Sequence, residues 1–125
     1  MNTILVSGYR EFNDYNAFKI EMDLFITEYK LKSLNNLIIL HGGARGTDTL
    51  AHKYAKENNY QVISQPADWS LGKSAGVIRN QSMIDTFKPK YGICFVHFLS
   101  KGTKDCLQRM RKSKNNMIIK EITLL

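Results

Sequence analysis

Three short stretches, Thr3 to Ser7 (TILVS), Leu37 to Leu40 (LIIL) and Tyr91 to Phe98 (YGICFVHF), carry apolar residues at consecutive positions and not at every second one. A strand that is apolar on both of its faces has to be covered on both, which is the condition of an inner strand in a parallel sheet. Longer amphipathic stretches separate these runs. About residues 14 to 32 read as a helix, with Phe18, Met22, Phe25 and Tyr29 at spacings of four, three and four. A second helix is expected from Thr47 to Asn58, with Leu50, Ala51, Tyr54 and Ala55 inward and Asn58-Asn59 as its stop. Gln61 to Ser64 follows as a short strand, Lys73 to Thr86 as a third helix ending before Pro89, and Gly102 to Lys114 as a last helix with Leu107 and Met110 inward. Met117 to Glu121 closes the series as a fifth strand.

This strict alternation predicts an α/β fold: one Rossmann-like, doubly wound parallel sheet of about five strands in the order 3-2-1-4-5, with helices on both faces. The length of 125 residues suits a single domain, residues 1–125, with 43% hydrophobic residues to build its core. No apolar stretch approaches a membrane span and no basic leader is evident, so a soluble, cytoplasmic protein without a membrane partner is expected. Two cysteines, Cys94 and Cys106, are too few for a disulfide framework and read as reduced and buried. His41, His52 and His97 show no metal-ligand spacing, and neither a metal nor a cofactor is expected.

In this strand order the chain reverses direction between strands 1 and 4, and ligands of such sheets sit beyond the strands' carboxyl ends at that reversal. Three strand ends meet there. Strand 1 delivers Ser7, Gly8, Tyr9 and Arg10; strand 2 delivers His41 to Asp48 (HGGARGTD); strand 4 delivers Ser100 to Thr103 (SKGT). Gly42, Gly43 and Gly46, followed by Thr47 at a helix start, let backbone N–H groups approach an anion, and Gly102-Thr103 repeats the arrangement at the last helix. Arg10 offers a planar fork to phosphate or carboxylate, or else pairs with Glu11 or Asp14. Arg45 either meets an anionic ligand or projects into solvent. Asp48 either accepts from ribose hydroxyls or stabilises the first turn of its helix.

A second group follows in PADW (Pro66 to Trp69) and GVIRNQSM (Gly76 to Met83). The only tryptophan, Trp69, either stacks on a base or caps the core. Arg79 and Asn80 fall within a helix, where Asn is poorly placed unless its amide has a specific partner. Gly-x-Ser-x-Gly and GxxxxGK[ST] are absent, and HGGARGTD, lying after the second strand, is not the GxGxxG of ordinary dinucleotide binding.

The net charge is +7, with Lys101, Lys104, Arg109, Arg111, Lys112 and Lys114 set against Asp105 alone between residues 101 and 114. Such a face contacts a nucleic-acid backbone or is simply a solvated helix. The absence of aromatic residues for base stacking favours the second.

The ordered set Ser7 to Phe12 (SGYREF), HGGARGTD, PADW, GVIRNQSM and Lys101 to Asp105 (KGTKD) closely resembles the YspA-like family of the SLOG superfamily. That resemblance implies a Rossmann-like domain with a pocket for a nucleotide or nucleotide-derived, ADP-ribose-like ligand, and the superfamily's habit of self-association makes a homo-oligomer conceivable. The related LOG phosphoribohydrolases carry PGGxGTxxE, with phosphate-holding glycines and a catalytic Glu. Here Gly102 and Thr103 match, Leu99 and Ser100 replace the first glycines, and Cys106 stands at the Glu position. Asp105 is one residue off, a rotation of about 100° on a helix. Capture of a nucleotide-like ligand is therefore the leading expectation. N-glycosidic hydrolysis of a nucleoside monophosphate, with Asp48 or Asp105 as the acid, comes second, and nucleic-acid binding by analogy with DprA third.

Overall fold

A computed structural model describes residues 2–34 and 36–125. Five strands, β1 (Asn2–Gly8), β2 (Leu37–His41), β3 (Gln61–Ser64), β4 (Tyr91–Val96) and β5 (Ile118–Thr123), form one sheet in the order β3-β2-β1-β4-β5. Every pairing is parallel. Helices α1 (Tyr15–Glu28), α2 (Thr47–Glu57), α3 (Ala75–Phe87) and α4 (Lys101–Lys112) alternate with the strands, as the pattern of apolar runs predicts.

The pleat splits the buried residues into two cores. Ile4 and Val6 of β1, Ile39 of β2 and Ile93 and Phe95 of β4 pack with Phe18, Met22 and Phe25 of α1 and Tyr54 of α2. Leu5, Leu40, Cys94 and Val96 point the other way, onto Met83 and Ile84 of α3 and Cys106, Leu107 and Met110 of α4. Each fully buried Leu, Ile or Phe contributes about 1.5–3 kcal/mol relative to leaving it in water, so neither face can be stripped of its helices. β2 and β4 are buried at every position, while the edge strands β3 and β5 are only partly covered.

Several boundaries differ from the sequence reading. β4 stops at Val96, not Phe98, because the His97 N–H donates to Ser100 Oγ at 3.0 Å and the Ser100 N–H to His97 O at 2.8 Å, which turns the chain; Phe98 is left 74% exposed. α3 starts at Ala75, two residues late, because Asp68 caps the short helical turn Trp69–Leu71 ahead of it. α1 ends at Glu28, with Lys30 in the left-handed region at φ 56°. β5 runs on past Glu121 to Thr123, paired with Val96.

β1 sits at the centre, with β2 on one side and β4 on the other. Register sets Ser7 beside Cys94 and Gly8 beside Phe95, so the carboxyl end of β1 opens next to the loop that leads into α4.

Candidate functional site

A cavity of about 490 Å³ lies at this reversal, and it brings together Ser7, Gly8 and Arg10 after β1, Arg45 and Asp48 before and within α2, Arg79 and Asn80 of α3, and Gly102 and Thr103 of α4. An adjoining hollow of about 320 Å³ collects Gly42, Gly43 and Trp69 and shares Arg10, Arg45 and Arg79 with the first. Gly46 and Thr47 line neither. They hold the floor together: Thr47 Oγ1 donates to Tyr9 O at 2.9 Å, and a Cβ on Gly46 would lie 2.2 Å from Arg10 O, at a φ of +74° that L side chains avoid. Gly8 is needed for the same closeness, since a Cβ there would meet Thr47 Oγ1 at 2.3 Å.

The glycine loop spends much of its donor capacity on the protein itself. Asp48 Oδ2 accepts from the amides of Gly42 and Ala44, both at 3.1 Å, and His41 Nδ1 accepts from Gly43 at 3.0 Å. The first amide of α2, at Thr47, donates to Tyr9 O at 3.3 Å. A buried carboxylate thus already occupies the place where the loop would have wrapped an anion. At α4 the situation differs. Ser100 Oγ is taken by His97 and gives the helix no side-chain cap, and the amides of Gly102 and Thr103 have no protein acceptor among the described residues. Open first-turn amides and the positive end of the helix dipole make this the better anion donor of the two turns.

Burial pushes the Asp48 carboxyl up to about 6, against the pull of its two amide bonds and of the Arg79 guanidinium. Burial also lowers His41 to about 4, reinforced by His52 and Arg79. His41 Nδ1 accepts from Gly43, so its proton is on Nε2 and is donated to His52 Nδ1 at 2.9 Å. Neither histidine figured as a site residue in the sequence reading; the signal was its place, the residue before the first glycine.

Arg79 is half-buried and acts as a tie, its Nη1 donating to Gly42 O and to Gln65 O and its Nε to Asn80 Oδ1 at 2.9 Å. Burial depresses its pKa, yet it stays a cation beside Asp48. Asn80, 4% exposed, has the partners that its mid-helix position demands: its Nδ2 donates to Gly102 O at 3.3 Å and Asp105 Oδ2 at 3.0 Å, fastening α3 to the start of α4. Asp105 is placed apart from the rest. It lines a separate hollow of about 530 Å³ between α3 and α4, and its Oδ2 is also held by Arg109 Nε at 2.8 Å. Cys106 is fully buried, next to Ser7, and burial pushes its thiol up to about 12, so it is protonated at neutral pH.

Arg45 is engaged by neither ligand nor bare solvent but by Glu11, at 2.6 Å, an exposed pair at the cavity mouth. The alternative partners considered for Arg10, Glu11 and Asp14, are therefore otherwise occupied: Asp14 caps α1 through Ala17. Arg10 lies over the Trp69 ring at 5.8 Å. Trp69 belongs to neither core and is 57% exposed, so the core-capping reading of its ring gives way to a rim position. Tyr9 also lines the larger cavity and stacks on His97 with centroids 4.2 Å apart, a contact between strand ends that no sequence spacing announces.

Comparison with known proteins follows the same outline. A family model described as the YspA, cpYpsA-related SLOG family matches residues 2–72, from β1 through the Trp69 turn. The "Gene 61 protein" of Mycobacterium phage D29 is 30% identical over 121 residues, covering 90% of this chain and 91% of that protein. Its match extends beyond the family model and takes in α3 and α4.

Proposed function

The chain belongs to the YspA, cpYpsA-related SLOG family, whose Rossmann-like members have a nucleotide-related function at the level of the family, and from that membership we propose that this protein binds a nucleotide or an ADP-ribose-like derivative of one, as a sensing or sequestering module. The observation that carries the reading is the asymmetry of the cavity. Its α4 side presents unpaired amides at Gly102 and Thr103 with Lys101 beside them, and Arg10 reaches in without a hydrogen bond or an ion pair among the described residues. Phosphates belong at that end. Asp48, with Oδ2 committed to the loop, faces the same cavity as an acceptor for a sugar hydroxyl.

Capture without cleavage is supported by Asp105, Glu11 and Cys106, while Asp48, which faces the cavity with its carboxyl raised to about 6, is the group left to the hydrolytic reading. Asp105 opens onto the other hollow, Glu11 is held by Arg45, and a thiol stands at the related hydrolases' Glu position. Isothermal titration with nucleoside monophosphates, ADP-ribose and its cyclic isomers tests the reading. Wild type is expected to bind at least one of them, and Arg10→Ala to bind it about tenfold or more weakly, as loss of a charge-assisted contact predicts. Absence of binding across the panel, or equal binding by the variant, overturns it.

A further inference from the structure

The smaller hollow has the makings of a slot for a flat ring. Its floor is Gly42, Gly43 and Ala44, its wall Pro66 and Ala67, and Trp69 stands along it with more than half of its surface open. Both hollows fall within the roughly 300–1,000 Å³ of small-molecule sites, and they meet at their shared arginines. Two of these have partners: Arg79 is tied to Gly42 O, Gln65 O and Asn80, and Arg45 pairs with Glu11 in an exposed ion pair. Arg10 alone of the three has no such tie among the described residues; its guanidinium lies over the Trp69 ring, 5.8 Å from the centroid.

We propose that the Trp69 hollow is a subsite for the planar base of the ligand, closed in the free protein by the Arg10 guanidinium, and that an anionic group entering the neighbouring cavity opens it by drawing Arg10 off the ring. The proposal rests on the nucleotide reading and deepens it. The Arg10 guanidinium cannot lie over the Trp69 ring and grip an anion in the neighbouring cavity at once. On an exposed ring it is held weakly, whereas phosphate offers it two short, charge-assisted hydrogen bonds. The anion therefore wins the guanidinium, and the ring face it vacates is the one a base would stack on. A bare nucleoside meets a covered face; its phosphorylated form removes the cover itself.

Trp69 is the only tryptophan, so its emission reports the event directly. The experiment titrates wild type and Arg10→Ala with inorganic pyrophosphate alone, adenosine alone, and adenosine at saturating pyrophosphate, with AMP as the joined ligand. In wild type, pyrophosphate alone shifts Trp69 emission, and adenosine binds about tenfold more tightly in its presence, a coupling of ordinary size. In Arg10→Ala, adenosine binds without help, the coupling vanishes, and Trp69 emission no longer answers pyrophosphate. AMP binding to wild type with no Trp69 response, or coupling that survives in Arg10→Ala, overturns the gate and leaves nucleotide binding standing. Failure of AMP, adenosine and pyrophosphate alike to bind removes the gate together with the reading beneath it.

Discussion

His41 and His52 share a 2.9 Å hydrogen bond beneath the glycine loop, and its direction is set from outside the pair, because His41 Nδ1 is already taken by the Gly43 amide. A proton added to His41 would need Nδ1 as a donor and break that contact, which agrees with its lowered pKa of about 4. Below its unfolded value near 6.5, the unfolded chain holds this proton and the folded chain does not, so acid costs stability between about pH 6.5 and 4. Asp48, raised to about 6, acts with the opposite sign: between about pH 4 and 6 the folded chain holds its proton and the unfolded chain does not, so stability rises as pH falls. The two oppose each other in wild type where these windows overlap. Asp48→Asn keeps a neutral oxygen for the Gly42 and Ala44 amides and removes the compensating titration. From pH 7.5 to 5, urea unfolding is expected to show a loss of about 2 kcal/mol in the variant and a smaller one in wild type. A parallel profile for the two proteins would refute the opposition.

The two glycines of the facing turns make contrasting demands. Gly46 has φ +74° and no room for a Cβ, whereas a Cβ on Gly102, inside α4, meets nothing within 4 Å. Gly46→Ala is expected to cost about 2–4 kcal/mol, from a strained backbone and a clash with Arg10 O. Gly102→Ala should instead gain up to about 1 kcal/mol from helix propensity. Thermal melts of the two variants check both signs.

How much of this was open to inspection in the sequence depends on the range of the interaction. The sheet order was legible because Leu37 to Leu40 of β2 and the whole of β4 form continuous runs without charged residues, and only inner strands, covered on both faces, tolerate that. The end of β4 was not, since His97 and Phe98 prolong an apolar run while a serine hydroxyl turns the backbone. Arg45 and Asn80 stood out by position, in the loop after β2 and within a helix, yet their partners did not: Arg45 meets Glu11 across 34 residues, and Asn80 meets Asp105 across 25. Residue type says that Asn80 needs a partner; only the packing of α3 on α4 says which.

Asn80 and Asp105 separate the structural from the ligand-facing side of α4. Asp105→Asn alters a residue that opens onto the other hollow, so nucleotide affinity is expected to stay within about twofold of wild type. Asn80→Ala removes the buried amide that Gly102 O and Asp105 Oδ2 share and so loosens the start of α4, at a cost of about 1–3 kcal/mol and with weaker binding. Titration calorimetry beside chemical unfolding distinguishes the two; a large affinity loss in Asp105→Asn would move that carboxylate into the binding machinery.

The last expectation concerns which turn receives the anion. The amides of Gly42, Gly43 and Ala44 donate to buried acceptors within the protein, two to Asp48 and one to His41, while those of Gly102 and Thr103 lack acceptors among the described residues. Amide hydrogen exchange tracks local opening, so the first three should exchange slowly in the free protein and the latter two fast. Saturating pyrophosphate should then slow Gly102 and Thr103 and leave the glycine loop nearly unchanged, because an already satisfied donor has little protection to gain. If the protection appears at Gly42 to Ala44, Asp48 and His41 must have released those amides, and the loop would be a cradle that opens on binding. Protection confined to α4 makes it a fixed scaffold whose buried carboxylate stands in for the anion it does not hold.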